Sequence, residues 1–100
     1  MITVPPTSEK LTQLMKYCKL EPTDTEAQAE VQRFYAAAYV YLLAGRSIPA
    51  EYEALADLAM DSLTLHYYDH RDDAEPNAAP LPVGLLPIFN QLRAVSNLGG

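Results

Sequence analysis

Pro49-Ala50-Glu51-Tyr52-Glu53-Ala54-Leu55-Ala56-Asp57-Leu58-Ala59-Met60-Asp61-Ser62-Leu63-Thr64-Leu65-His66-Tyr67-Tyr68-Asp69-His70-Arg71 is the stretch around which the rest of the chain must be arranged. It reads as one long helix. Pro49 suits a first helical position, where a missing N–H costs nothing, and Glu51 and Glu53 follow in the electropositive first turn. His70 and Arg71 stand at the other end, where cations are favoured. Tyr52, Leu55, Ala59, Ser62, Leu63 and His66 recur at helical spacing, Leu58 and Leu65 widen that stripe, and Glu53, Asp57 and Asp61 mark an acidic, solvent-facing side. At about 1.5 Å per residue such a helix is roughly 34 Å long, enough to cross a small domain.

Outward from this helix, the pattern predicts three more. Pro5-Pro6 keeps the chain extended up to Thr7 and Ser8, either of which can cap a helix whose Leu11, Leu14, Met15 and Cys18 share one face. Pro22 stops that helix near Leu20, and Thr23-Asp24-Thr25-Glu26 offers a capping box, with Thr23 and Glu26 as its two ends. From there Ala27, Val31, Phe34, Ala38, Tyr41 and Leu42 line the main face of a second helix, Tyr35 and Tyr39 lie beside it, and Gly45 can terminate it. Arg46-Ser47-Ile48 is short enough to make this helix and the long one antiparallel neighbours. Beyond Arg71 the pattern gives way to an acidic, proline-rich loop, 72–82. A last helix follows, with Pro87 in its first turn and Leu85, Phe89 and Leu92 on one side, Leu86 adjacent. Asn97-Leu98-Gly99-Gly100 is expected to fray. The expectation is an all-α bundle of about four helices, roughly 8–20, 24–44, 49–71 and 84–96, forming a single domain over 1–100.

Composition narrows the class. With 49% apolar residues in 100, the chain can bury a core, and no apolar run reaches the length of a membrane span. Its first residues lack the basic and apolar regions of a secretory signal, so a soluble cytoplasmic protein is expected. The net charge of −6 argues against tight nucleic-acid binding. The charge is also unevenly placed. Residues 1–20 hold three Lys against one Glu, residues 21–75 hold twelve acids against three Arg, and the remainder adds Arg93. That distribution suits either a solvated surface or complementary patches between copies. The single Cys18 reads as a small buried hydrophobe.

Little in the chain points to catalysis. No nucleophile elbow, phosphate loop or isolated pair of carboxylates is present, and no enzyme and no cofactor are expected. His66 and His70, four apart on a helix with Asp69 and Asp73 close by, have the spacing of two zinc ligands, but the preferred reading is a core-edge histidine and a helix-end cation. The seven Tyr are more informative. Tyr35, Tyr39, Tyr52, Tyr67 and Tyr68 crowd the two long helices, where such side chains serve equally as core edges or as interface anchors.

Three segments give the chain a resemblance over about 8–95. These are the short first helix followed by Leu20-Glu21-Pro22-Thr23-Asp24, Ile48-Pro49 opening a long helix that ends in Tyr67-Tyr68-Asp69-His70-Arg71, and Leu81-Pro82-Val83-Gly84 opening the last helix. In this order they resemble the head–tail connector, or adaptor, proteins of long-tailed bacteriophages and their prophages. That family typically closes its long helix with two aromatics, an acid, a polar residue and Arg, continues through a variable loop into a Pro-x-Gly helix start, and places a basic residue near the end, matched here by Arg93. Tyr67 departs from the usual Trp, and Gln91-Leu92 stand where Pro and an aromatic are usual.

The resemblance implies a non-enzymatic virion protein that forms a ring, dodecameric in the particle, between the portal protein and the next head-completion or tail protein. DNA would pass through the channel without specific binding, no membrane would be involved, and the subunit would wait in the host bacterial cytoplasm during assembly. It implies Asp69 and Arg71 as candidates for inter-subunit or loop-anchoring ion pairs, beside simple helix-end capping. Tyr35, Tyr39, Tyr67 and Tyr68 become interface candidates, and Phe89, Leu92 and Arg93 candidates for portal docking. The competing readings are a cytoplasmic helical protein-binding or regulatory module and a His66/His70 metalloprotein.

Overall fold

The structure, a computed structural model, describes residues 2–43, 46–71, 86–95 and 97–98. Four α-helices are present among them: α1 Ser8–Tyr17, α2 Thr25–Leu42, α3 Glu53–Asp69 and α4 Leu86–Val95. The all-α bundle read from the sequence is the observed architecture. Helices α2 and α3 form an antiparallel hairpin, with Glu30 facing Arg71 at one level and Phe34 meeting Tyr67 and Tyr68 at the next. Helix α3 packs against each of the other three. Gly45, the loop 72–82 and residues 84–85 lie outside the described residues, so the expectations placed on them do too.

The helix ends show what the local sequence does. Thr7 caps α1 by accepting from the Lys10 backbone N–H at 3.2 Å, as expected. The helix then stops at Tyr17, earlier than Pro22 requires. Leu20 N–H reaches back to the Met15 carbonyl at 2.8 Å and Lys19 N–H to Lys16 at 3.0 Å, with Lys19 in the left-handed region at φ 61°. This is a Schellman ending with lysine where glycine is usual. For α2 the expected Thr23 cap is corrected. Asp24 accepts from both Glu26 and Ala27 N–H at 3.1 Å, because its carboxylate reaches two orphan donors from the residue adjoining the helix.

Pro49 likewise sits just outside its helix rather than at the first helical position. At φ −56° and ψ 144° it is extended, and a 3-10 turn, Ala50–Tyr52, leads into α3. The chain end is also corrected. Asn97–Leu98 (β2) pairs antiparallel with Arg46–Ser47 (β1), Arg46 opposite Leu98 and Ser47 opposite Asn97. The two-residue ladder satisfies backbone groups that a frayed end would leave to water and ties the end of α4 to the α2–α3 link.

The core runs between the hairpin, α1 and α4. Leu14 and Met15 of α1, Val31, Phe34, Tyr35, Ala38 and Leu42 of α2, Ala56, Ala59, Met60 and Leu63 of α3, and Leu92 of α4 are all buried. On α3 the buried face is rotated from the expected one. Ala56, Ala59, Met60, Leu63 and Tyr67 are inside, whereas Leu58 is 48% exposed. The acidic side explains the rotation. Asp57 and Asp61 turn toward α1, where Lys10 Nζ lies 3.0 Å from Asp57 Oδ1 and 2.7 Å from Asp61 Oδ1. About two turns further along α1, the Tyr17 hydroxyl lies 3.3 Å from that of Ser62, the residue after Asp61. The charge asymmetry of the sequence therefore acts at least partly within the subunit, joining α1 to α3.

Burial pushes the Asp61 carboxyl above its ordinary value although Lys10 pulls the other way. Burial also disfavours the Lys10 ammonium, but its bonds to Asp61 and Asp57 together outweigh that and hold it above its usual range. The pairing is thus a linkage between two helices formed against a desolvation cost.

Candidate interaction surface

Residues 67–71 were the most specific feature of the sequence, and the fold gives each a distinct place. Tyr67 and Tyr68 both pack on Phe34, Tyr68 edge-on at 6.3 Å between ring centroids and Tyr67 tilted at 6.5 Å. They are 2% and 9% exposed. Asp69, the last residue of α3, is exposed, and His70 forms its C-cap. Arg71 folds back over the helix end, donating from Nη1 to the Tyr68 carbonyl at 2.9 Å and placing its guanidinium 4.1 Å from the centroid of the Tyr68 ring. Its Nε lies 3.9 Å from Glu30 on α2. A single side chain thus satisfies an orphan carbonyl, covers an aromatic face and leans on the neighbouring helix, fixing the direction in which the chain leaves α3.

Tyrosine roles divide accordingly. Tyr35 is 1% exposed and belongs to the core with Tyr67, so neither offers its ring to a partner on the free subunit. The physical reason is spacing: Tyr35 falls four after Val31 and three before Ala38, inside the buried stripe. Tyr39 is half-buried at its edge. Tyr41, expected inside, is 46% exposed, and Val40 beside it is 68% exposed. Together with Ala37 and Tyr67 they line an open groove of about 360 Å³ on the outer side of the hairpin. Of these four only Tyr67 was an interface candidate from the sequence. The available signal was the same spacing, which leaves Val40 and Tyr41 beyond the Ala27-Val31-Phe34-Ala38-Leu42 line.

Of the docking candidates on α4, Leu92 is 1% exposed and serves the core, a correction to its expected place on a docking face. Half-buried Ile88 packs beside it, while Pro87, Asn90, Gln91 and Ala94 are exposed. The side chains of Phe89 and Arg93 lie outside those described. A docking surface on α4 must therefore be built from the side opposite Leu92.

The His66 and His70 rings stand 4.6 Å apart between centroids, with His66 buried. Among the described residues no group of three or more His, Cys, Asp or Glu side chains converges as a metal site would require. Cys18 is half-buried at the end of α1, and burial, with Asp69 and Asp61 adding to it, pushes its thiol up to about 11. It is a protonated thiol at neutral pH and a poor nucleophile.

A small four-helix protein whose distinctive features are surfaces and helix ends is the class this fold defines. Comparison with family models, with curated proteins and with solved structures finds no match.

Proposed function

We propose that the chain is a structural subunit of a virion, a head–tail connector that forms a ring beneath the portal, completes the head, passes DNA and receives the tail. The observation that carries this reading is where the helices put two of the three resembling segments, the third, Leu81-Pro82-Val83-Gly84, lying outside the described residues. Ile48-Pro49 stands at the turn into α3, and Tyr67-Tyr68-Asp69-His70-Arg71 closes it, with Arg71 folded over the end. A ring needs two different faces on each subunit. The groove of Ala37, Val40 and Tyr41 supplies an apolar one, and Lys16 and Lys19, both exposed at the end of α1, a basic one. The net charge of −6 suits a conduit that does not grip the phosphate backbone.

The exposed apolar groove also favours a second reading, a helical module that binds another protein in the cytoplasm. Negative-stain microscopy at high protein concentration separates the two. Rings support the connector, whereas a strict monomer that also ignores portal particles sinks it.

A further inference from the structure

Among the described residues, the large apolar side chains left exposed on the helices fall in two places. Val40 and Tyr41 stand on the outer side of α2, at the groove that Ala37 and Tyr67 also line. Leu58 of α3 and Tyr17 of α1 stand elsewhere, linked through Ser62, one turn beyond Leu58, whose hydroxyl lies 3.3 Å from that of Tyr17. Each place is a stripe along one helix. Arg33, Ala37 and Val40 recur on α2 at i, i+4 and i+7, and Leu58, Ser62, Leu65 and Asp69 recur on α3 at i, i+4, i+7 and i+11. Both stripes lie on the side away from the core, which is marked by Ala38 and Leu42 on α2 and by Ala56 and Leu63 on α3.

Laid antiparallel, the two stripes match position by position. Setting Arg33 opposite Asp69 puts Ala37 opposite half-buried Leu65 and Val40 opposite half-buried Ser62, because the steps along both helices are the same. At each inner position a small side chain meets a larger one, so two helices can approach to the usual roughly 8–10 Å between axes. Leu58 extends the apolar contact one turn beyond Val40. At the other end unlike charges meet: Arg33 and Asp69 are both exposed, and among the described residues neither has an ion-pair partner in its own subunit. The direction is also the one a ring requires. Helices α2 and α3 are antiparallel within a subunit, and neighbours in a ring of about twelve are turned by only about 30°, so α2 of one copy and α3 of the next run nearly antiparallel as well.

We propose that the occupant of the α2 groove is a second copy of this chain, whose α3 stripe Leu58, Ser62, Leu65 and Asp69 lies antiparallel along Val40, Ala37 and Arg33 and closes on an Arg33–Asp69 ion pair. Two different surfaces meet, so the contact is heterologous and repeats from copy to copy. The α3 stripe is continuous, through Ser62 and Tyr17, with the exposed Lys16 at the end of α1. The inference rests on the ring reading and adds to it the partner surface and its register.

The test is disulfide trapping between full chains that carry Cys18→Ser, which removes the only native thiol. One protein then carries Val40→Cys and the other Ser62→Cys. Both positions lie on helix surfaces, so both proteins should fold, which circular dichroism checks. Mixed at high concentration under mild oxidation, the two should give the mixed disulfide dimer and little of either homodimer. A Val40→Cys homodimer in equal yield would show an isologous contact across α2, and no mixed dimer at any concentration would show no contact at all; either result overturns the proposal.

Charge reversal tests the register. Arg33→Asp added to the Val40→Cys protein, or Asp69→Arg added to the Ser62→Cys protein, should lower the trapped yield about tenfold, the effect of turning one attraction between exposed charges into a repulsion. The two reversals together should restore it. Yields indifferent to the single reversals, or not restored by the pair, overturn the Arg33–Asp69 register. The connector reading is separable from this pairing. Mixed disulfides from a protein that ignores DNA-filled heads would uphold the pairing and remove the connector, whereas binding to heads without any mixed disulfide would keep the connector and overturn the pairing.

Discussion

Replacing Lys10 by methionine keeps the length and apolar stem of the side chain and removes only the ammonium that Asp57 and Asp61 share. The Lys10 side chain is 15% exposed and that of Asp61 13%, with 2.7 Å between the charged atoms, whereas Asp57 is 44% exposed at 3.0 Å. Removing one partner of a buried pair typically costs about 3–5 kcal/mol, because a charge is left uncompensated. Here the cost is smaller, since Asp57 is largely hydrated and Asp61 is already inclined to take up a proton. A loss of about 2–3 kcal/mol is expected for K10M.

Asp57→Asn, which touches only the hydrated arm, should cost about 0.5–1 kcal/mol. Asp61→Leu introduced together with K10M should recover most of the loss, because no buried charge remains. Urea denaturation followed by circular dichroism measures all three, and the larger loss corresponds to about 10–20 °C in Tm for a domain of this size. If K10M costs under about 0.5 kcal/mol, or if the double variant loses the sum of its parts, the ion pairing does not join α1 to α3 and the reasoning fails.

Lys19→Gly should stabilise by about 0.5–1 kcal/mol at unchanged m-value, since glycine adopts φ 61° without the steric cost lysine bears there. An unchanged midpoint would show that the Schellman ending carries no strain. Stability should also fall as pH rises from about 9 to 12. Cys18, Tyr35 and Lys10 all have folded-state values above their ordinary 9.0, 10.0 and 10.5, so through this window the unfolded chain holds fewer protons and is favoured by alkali. Thermal melts at stepped pH check this, and a flat profile contradicts it. Val40→Asp, at a position 68% exposed, should change stability by less than about 0.5 kcal/mol while abolishing ring formation. Intact rings from this variant would remove the α2 groove from the assembly surface.

The elements that one side of a helix defines were legible from residues alone. Thr7 caps α1, the Ala27-Val31-Phe34-Ala38-Leu42 stripe is buried, and Pro87 falls within the first turn of α4. The long helix was legible as a helix but not in its facing. It packs against three neighbours, so apolar residues surround much of it, and periodicity alone could not decide between Leu58 and Met60. Reading Asp57 and Asp61 as solvated followed from the general hydration of carboxylates, and only the docking of Lys10 from a distant segment reverses that. The two-residue ladder between 46–47 and 97–98 was illegible because pairing so short leaves no alternation in the sequence.

Site residues were harder still, since an aromatic at a core edge and one at an interface satisfy the same local pattern. Tyr35 and Tyr67 proved to be inside, and Tyr41, expected inside, proved to be exposed. Arg71 caps α3 at the Tyr68 carbonyl, one of the roles read from the sequence, and also contacts Glu30 across the hairpin, a contact within the subunit that the sequence reading did not include.

Truncating the chain before α4 would remove Leu92 from the core, so a test of docking needs the full chain. The direct measurement is cosedimentation of that full chain with DNA-filled, tailless heads, which present the portal as a template for assembly. The proposed connector role calls for saturable binding at a fixed ratio to portal, with a ring visible beneath it and binding lost when exposed Asn90 and Gln91 are both replaced by bulky residues. A folded protein that remains in the supernatant at every concentration, with rings absent from the heads, would contradict it.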